Sequence, residues 1–170
     1  NRPDTSQEAY LDVVTAKTAT LFAAAGELGA VVSDRPEHRQ NLREFGLKLG
    51  IAFQIMDDAL DYTASQEEMG KAVGDDFRDG KVTLPVILAY AGGSEEERTF
   101  WQRTLGKQDL RENDLAQALA YIERHGTIER TIAIAERYCR EAKTRLAPFD
   151  ETPLKAALIE TVDVCVRRGY

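Results

Sequence analysis

The stretch FGLKLGIAFQIMDDALDY, residues 45–62, joins the question of fold to the question of chemistry. Phe45, Leu49 and Phe53, with Leu42 just upstream, recur at steps of three or four, the period of one face of an α-helix. That helix runs straight into the acid-rich segment DDALD, residues 57–61. On a helix Asp57 and Asp61 stand one above the other, Asp58 is rotated about 100° away, and Gln54 lies one turn earlier. Like charges at that spacing repel by roughly 0.2–0.5 kcal/mol unless something neutralises them. Two readings are open: a solvated acidic helix end, or a site for Mg²⁺, which takes one or two carboxylates plus waters and phosphate oxygens.

Outward from this helix the pattern stays helical. Thr5 with Glu8 forms a capping box ahead of a helix over 10–32, in which Gly26 and Gly29 are candidate breaks. Pro36, after Asp34, predicts the start of the aspartate helix, which ends near residue 62. Residues 63–80 lose all periodicity and read as a long loop rich in glycine and charge. VTLPVILAYA (82–91) is a short apolar helix, and Ser94 opens a second capping box that Gly106 closes. Further helices are expected over 112–125, 127–146 and 153–168. No alternation of period two is long enough for a strand, so the chain is all-α.

The loop holds a second copy of the acid pattern, DDFRD at 75–79. Gly74 and Gly80 bracket it, Arg78 sits inside it and Lys81 follows, so an acidic loop paired to its own bases is the expectation. Asp76 remains a candidate for a supporting role behind the metal ligands. Lys71 and Lys81 flank the loop, and a lysine is a compact point charge for phosphate. Lys17 lies on an apolar helix beside Thr18, where it either snorkels to water or meets an anion. Acids for a metal, lysines for phosphate and two apolar helices together describe a site for an apolar diphosphate.

Composition narrows the field. The 170 residues carry a net charge of −7, with 29 acids against 22 bases, which argues against a nucleic-acid partner. No apolar run approaches the ~20 residues of a membrane helix, so no stable membrane anchor and a cytoplasmic location are expected. Cys139 and Cys165 read as small apolar residues of a reducing compartment. His38 and His125 fall among charges and read as surface residues, and Trp101 reads as a packing residue. No G-x-S-x-G nucleophile elbow is present. The polar opening NRPDTSQE, without an initiating Met, reads as a piece of something longer.

Three blocks, YLDVVTAKTATLF (10–22), FGLKLGIAFQIMDDALDY (45–62) and GKAVGDDFRDGKVTLP (70–85), resemble the trans-isoprenyl diphosphate synthases, or polyprenyl synthetases. The resemblance is strongest to the long-chain octaprenyl and decaprenyl diphosphate synthases. It is specific over residues 1–92 and looser beyond. It implies that residues 1–170 form a single all-α region, the C-terminal helices of an isoprenoid-synthase-type helical bundle, with the N-terminal half absent. It implies that Asp57, Asp58 and Asp61 bind Mg²⁺ bridged to an allylic diphosphate, and that Lys17, Lys71 and Lys81 grip that diphosphate. Lys17, Thr18 and Gln54 are the implied catalytic residues, the last two facing the reacting carbons.

The implied reaction adds isopentenyl diphosphate head-to-tail to the allylic partner, building a polyprenyl diphosphate. The complete enzyme is expected to be a homodimer. The family's first aspartate-rich motif and the arginine pair after it have no counterpart here; Arg167 and Arg168 stand in another context. The chain alone is therefore expected to be inactive. Two other readings are a non-catalytic helical partner subunit of a prenyl synthase and a fragment of a class I terpene cyclase.

Overall fold

In the computed structural model, residues 2–63 and 73–167 are described; Lys71 and Arg168 lie outside them. The chain separates into two compact units, one of residues 1–10 and 57–131, the other of residues 11–56 and 132–170. Among the described residues every regular element is helical. In chain order these are α1 (Gln7–Val14), a π-helical segment (Thr15–Ala19), α2 (Thr20–Val32), a 3₁₀ turn (Pro36–His38), α3 (Arg39–Thr63) and α4 (Asp75–Arg78). Then follow α5 (Leu84–Gly92), α6 (Glu95–Trp101), a second π segment (Gln102–Gly106), α7 (Asp114–Arg124), α8 (Thr127–Thr144) and α9 (Pro153–Arg167).

In the second unit α2 crosses α3 at backbone contact. A Cβ on Gly26 would collide with the carbonyl oxygen of Leu42, and one on Gly46 with the carbonyl oxygen of Phe22. A Cβ on Gly50 would lie 2.7 Å from Cα of Ala19. Ala19 and Ala23 at the crossing are fully buried. Gly26 and Gly29 were candidate breaks, yet α2 runs through both, because tertiary contact repays the weak helix preference of glycine. Phe45 and Leu49 are buried as the periodicity predicted, and Leu42 and Phe53 are half-buried. Beyond them Ile51, Ala52, Ile55 and Met56 are buried too, so this part of α3 is covered on more than one face. Lys48 to Glu141 at 2.9 Å and Lys143 to Asp163 at 2.5 Å link α3, α8 and α9.

The first unit has an aromatic core of Tyr62, Phe77, Trp101 and Tyr121 among Val86, Ala89, Leu105, Ala118 and Ile122. Phe77 meets Trp101 edge-on at 6.1 Å, and Phe100 meets Tyr121 edge-on at 5.2 Å. Trp101 is fully buried, which makes it a packing residue as expected. The apolar α5, with Pro85 in its first turn, is buried from Leu84 to Ala89.

Several boundaries differ from the sequence reading for local reasons. Thr5 turns its hydroxyl back to the carbonyl of Arg2, and Ser6 caps α1 instead, accepting from the amide of Ala9 at 3.2 Å. Helix α7 starts at Asp114 because that carboxylate accepts from the Arg111 amide and from both arms of the Arg103 guanidinium. The part of the expected loop that is described, 73–80, contains the short helix α4. Gly74 precedes it at φ 78°, a left-handed conformation that suits glycine. The histidines are not free surface groups: His38 stacks on Phe149 at 4.4 Å, and His125 lies 3.0 Å from Glu97.

The Ser94 capping box is present, and its Glu97 does more than cap. Glu97 is 5% exposed. Its carboxylate accepts from the Ser94 amide and from Arg124, and it meets His125. Burial pushes its carboxyl up, but these partners outweigh burial and hold it below the ordinary 4.5. A lowered acid stabilises the fold above its unfolded value, and that contribution is lost as pH falls through the folded value. Glu97→Gln is expected to melt about 2–4 °C lower at neutral pH. It should also lose less stability than wild type on acidification below about pH 4.5, read by thermal melts across pH.

The helix crossing gives a second test. Gly46→Ala is expected to cost about 1–3 kcal/mol through overpacking against backbone. At Gly29 an added Cβ meets only Cδ1 of Leu42 at 3.9 Å, an ordinary contact. Gly29→Ala should therefore be neutral or gain up to about 1 kcal/mol. Urea titration of both variants compares them directly.

Candidate functional site

The end of α3 presents its three aspartates in three different settings. Asp57 is exposed, Asp61 is half-buried and Asp58 is 4% exposed. The difference follows from helical phase: a residue one step on from Asp57 turns about 100° around the axis, here into the interior. Asp58 is met there by Tyr10 of α1, whose hydroxyl donates to its Oδ2 at 2.6 Å. Burial first, then the nearby charge of Asp58, raises the Tyr10 hydroxyl far above its ordinary value, so it stays a proton donor. Asp61 accepts from the amide of Asp76 at 3.1 Å. Its carboxyl is raised, chiefly by burial and further by Asp76 and Asp75, against the lowering effect of the Asp76 amide and Lys81.

The segment after α3 closes on this cluster. The Gly74 amide donates to the carbonyl of Asp61 at 2.8 Å, which fixes where α4 begins. Lys81 pairs with Asp76 at 2.7 Å and Asp79 at 3.1 Å, and those two acids raise its ammonium well above the ordinary range. Arg78 pairs with Asp75 at 3.0 Å. The three acids of DDFRD are thus each ion-paired to Arg78 or Lys81, as the composition indicated. Asp76 stands directly behind Asp61 through its backbone, and Lys81 is engaged with acids rather than presented alone. Tyr62, on the last turn of α3, shares a buried hydrogen bond of 3.2 Å with Thr83 ahead of α5.

In the second unit the polar groups sit at a distortion of the helix. The amide of Thr20 reaches back to the carbonyl of Thr15, five residues away, and the hydroxyl of Thr20 donates to the same oxygen at 2.8 Å. Such π segments insert an extra residue per turn and re-aim the side chains they carry. Those are Lys17, which is exposed, and Thr18, which is half-buried. Thr18 donates to Oε1 of Gln54 on α3 at 3.0 Å. One turn along, Phe22 and Phe53 pair at 5.7 Å.

The donor chemistry fits a hard cation shared with a ligand. Among the described residues no three acids, histidines or cysteines lie close enough to form a cage. Mg²⁺ does not require one, since it keeps waters and phosphate oxygens around one or two carboxylates. The sequence reading missed Tyr10. Its only trace was the phase of Asp58, which demanded a buried donor without saying where along the chain it would come from.

The polyprenyl synthetase family model matches residues 1–122. The chain is similar to a short chain isoprenyl diphosphate synthase of Methanothermobacter thermautotrophicus, 37% identical over 170 residues. It is similar to the octaprenyl diphosphate synthase of Escherichia coli, 37% identical over 169 residues. Each match covers 99% of this chain and 52% of the relative, so the chain spans about half the length of these curated relatives. A crystal structure of a polyprenyl synthase from Caulobacter crescentus, complexed with calcium and isoprenyl diphosphate, superposes with a TM-score of 0.92 at 42% identity. That superposition covers 99% of this chain and 52% of that one.

The contact between Thr18 and Gln54 should be measurable as stability. Thr18→Val is expected to lose about 1 kcal/mol in denaturant titration. Lys17→Ala, at an exposed position, should change stability by less than about 0.5 kcal/mol. Any larger effect of Lys17→Ala on ligand binding then belongs to the ligand.

Proposed function

Because the chain belongs to the polyprenyl synthetase family, we propose that it carries one half of the machinery of a Mg²⁺-dependent prenyltransferase. The reaction joins isopentenyl diphosphate to an allylic diphosphate and yields a longer polyprenyl diphosphate. The observation that carries this reading is the helix end at Asp57, Asp58 and Asp61. There an exposed acid, a half-buried acid and a buried, hydrogen-bonded acid occur together on a helix whose preceding residues 49–56 are buried or half-buried.

Asp57 and Asp61, with Asp58 behind them, would hold Mg²⁺. When bound, the ion neutralises charge on the diphosphate leaving group. Lys17, Lys71 and Lys81 belong to the set that grips the diphosphate on the strength of the family pattern. Lys81 must exchange Asp76 and Asp79 for phosphate oxygens to serve in that role. The carbon–oxygen bond of the allylic partner breaks and the diphosphate departs with the electron pair. The double bond of isopentenyl diphosphate attacks the resulting cation, a carbon–carbon bond forms, and a proton passes from the adjacent carbon to the departed diphosphate. Thr18 and Gln54 form a fixed polar pair that can stabilise the developing positive charge through oxygen. The apolar faces of α2 and α3, with Phe22 and Phe53, keep water from the cation. A homodimeric, cytoplasmic complete enzyme belongs to the same proposal.

Isothermal titration of the chain with an allylic diphosphate tests it. Binding is expected to require Mg²⁺, to vanish in EDTA, and to weaken at least about 10-fold in Asp57→Asn or Lys17→Ala. Turnover with both diphosphates is expected to be absent for residues 1–170 alone. Binding indifferent to EDTA and to both substitutions would sink the reading. A linear elongated product from any active assembly distinguishes it from a cyclase.

A further inference from the structure

Resting on the reading that the end of α3 holds a divalent cation, we propose that Tyr10 is a positioning residue for that site. Its hydroxyl fixes the carboxylate of Asp58 and so sets the direction in which the helix end offers its remaining acid oxygens. The two residues are 48 positions apart in sequence, and both are nearly inaccessible, 6% and 4% exposed. Their separation of 2.6 Å lies in the range of a short hydrogen bond to an ionised acceptor.

A packing role alone does not call for this chemistry. An apolar pair of the same volume would fill the place without the cost of taking a carboxylate out of water. A tyrosine ring has only two side-chain torsions, so an oxygen held by its hydroxyl has little freedom left. The arrangement repeats one turn on, where the amide of Asp76 holds Oδ2 of Asp61. Two of the three acids are thus each tied by a donor from a distant segment, and exposed Asp57 precedes them on the same helix. Groups that orient metal-ligating carboxylates in this way are worth about 10–100-fold in metal affinity when removed.

The experiment is a titration of the chain with Mn²⁺ as the probe ion, with and without inorganic diphosphate, read from the electron paramagnetic resonance of free Mn²⁺. Wild type is compared with Tyr10→Phe, Asp58→Asn, the double variant and Asp57→Asn, with a thermal melt on each. Tyr10→Phe is expected to weaken Mn²⁺ binding about 10-fold. The double variant should bind no more weakly than Asp58→Asn, since the two residues act as one unit. Tyr10→His, which restores a ring donor, should recover part of the loss. A melting temperature that falls while Mn²⁺ affinity stays within twofold overturns the proposal, because a structural role alone gives that result. If Tyr10→Phe does not fold, Tyr10→Met is the second hydroxyl-free variant and is held to the same criterion. Unchanged Mn²⁺ binding in Asp57→Asn overturns the cation reading itself, and this proposal with it.

Discussion

The backbone contact between α2 and α3 is the constraint on which the polar geometry of the second unit depends. Gly26, Gly46 and Gly50 remove three side chains from the crossing; carbonyl groups of the facing helix occupy the space at the first two, and Ala19 and Phe22 occupy it at Gly50. At that approach Thr18 and Gln54 are within hydrogen-bonding distance, and the Phe22 and Phe53 rings pair beside them. A wider crossing would leave both contacts unmade, because Thr has no reach to spare. Glycine lowers helix propensity by about 1 kcal/mol per residue, and the crossing regains this through packing.

The first unit solves a different problem, that of gathering acids without cancelling them. Six aspartates lie within 57–79. Asp75, Asp76 and Asp79 are matched to Arg78 and Lys81. Asp58 and Asp61 each accept from a neutral donor, a phenol and an amide. Neutral donors hold a carboxylate in place and leave its charge available to something else. An arginine in the same position would have quenched it. Arg78 and Lys81 are thus taken up in ion pairs with the loop's own acids.

Much of this was legible in the sequence, and the reasons for the exceptions are physical. The all-α class, the aspartate helix and the Ser94 capping box follow from short-range rules that act within one or two turns. The same holds for the self-paired character of DDFRD, since the bases are two to five residues from its acids. The π segment at Thr15–Ala19 was not legible, because nothing in TAKTA differs from an ordinary helical turn. Gly26 carries opposite meanings in isolation and in contact: it reads as a helix breaker until the carbonyl of Leu42 is placed against it. Tyr10 was overlooked for the same reason, since its partner lies on a helix far along the chain. Ser6 displaced Thr5 as the cap of α1 because Thr5 found the carbonyl of Arg2 first.

The π segment also makes the run from α1 to α2 a matter of counting. One extra residue in a turn shifts the phase of everything before it by about 100° relative to everything after it. Within the second unit, buried Val14 stands before that shift, and Ala19 and Phe22 stand at or beyond it. Removal of any single residue between Val14 and Phe22, however conservative its chemistry, would let the helix relax to a regular pitch and turn the Val14 side chain out of the interior in which it packs. Loops of this chain can absorb a change of length at little cost, but this stretch cannot. Its exposed residues can be replaced singly at little cost to the fold, while their number is fixed.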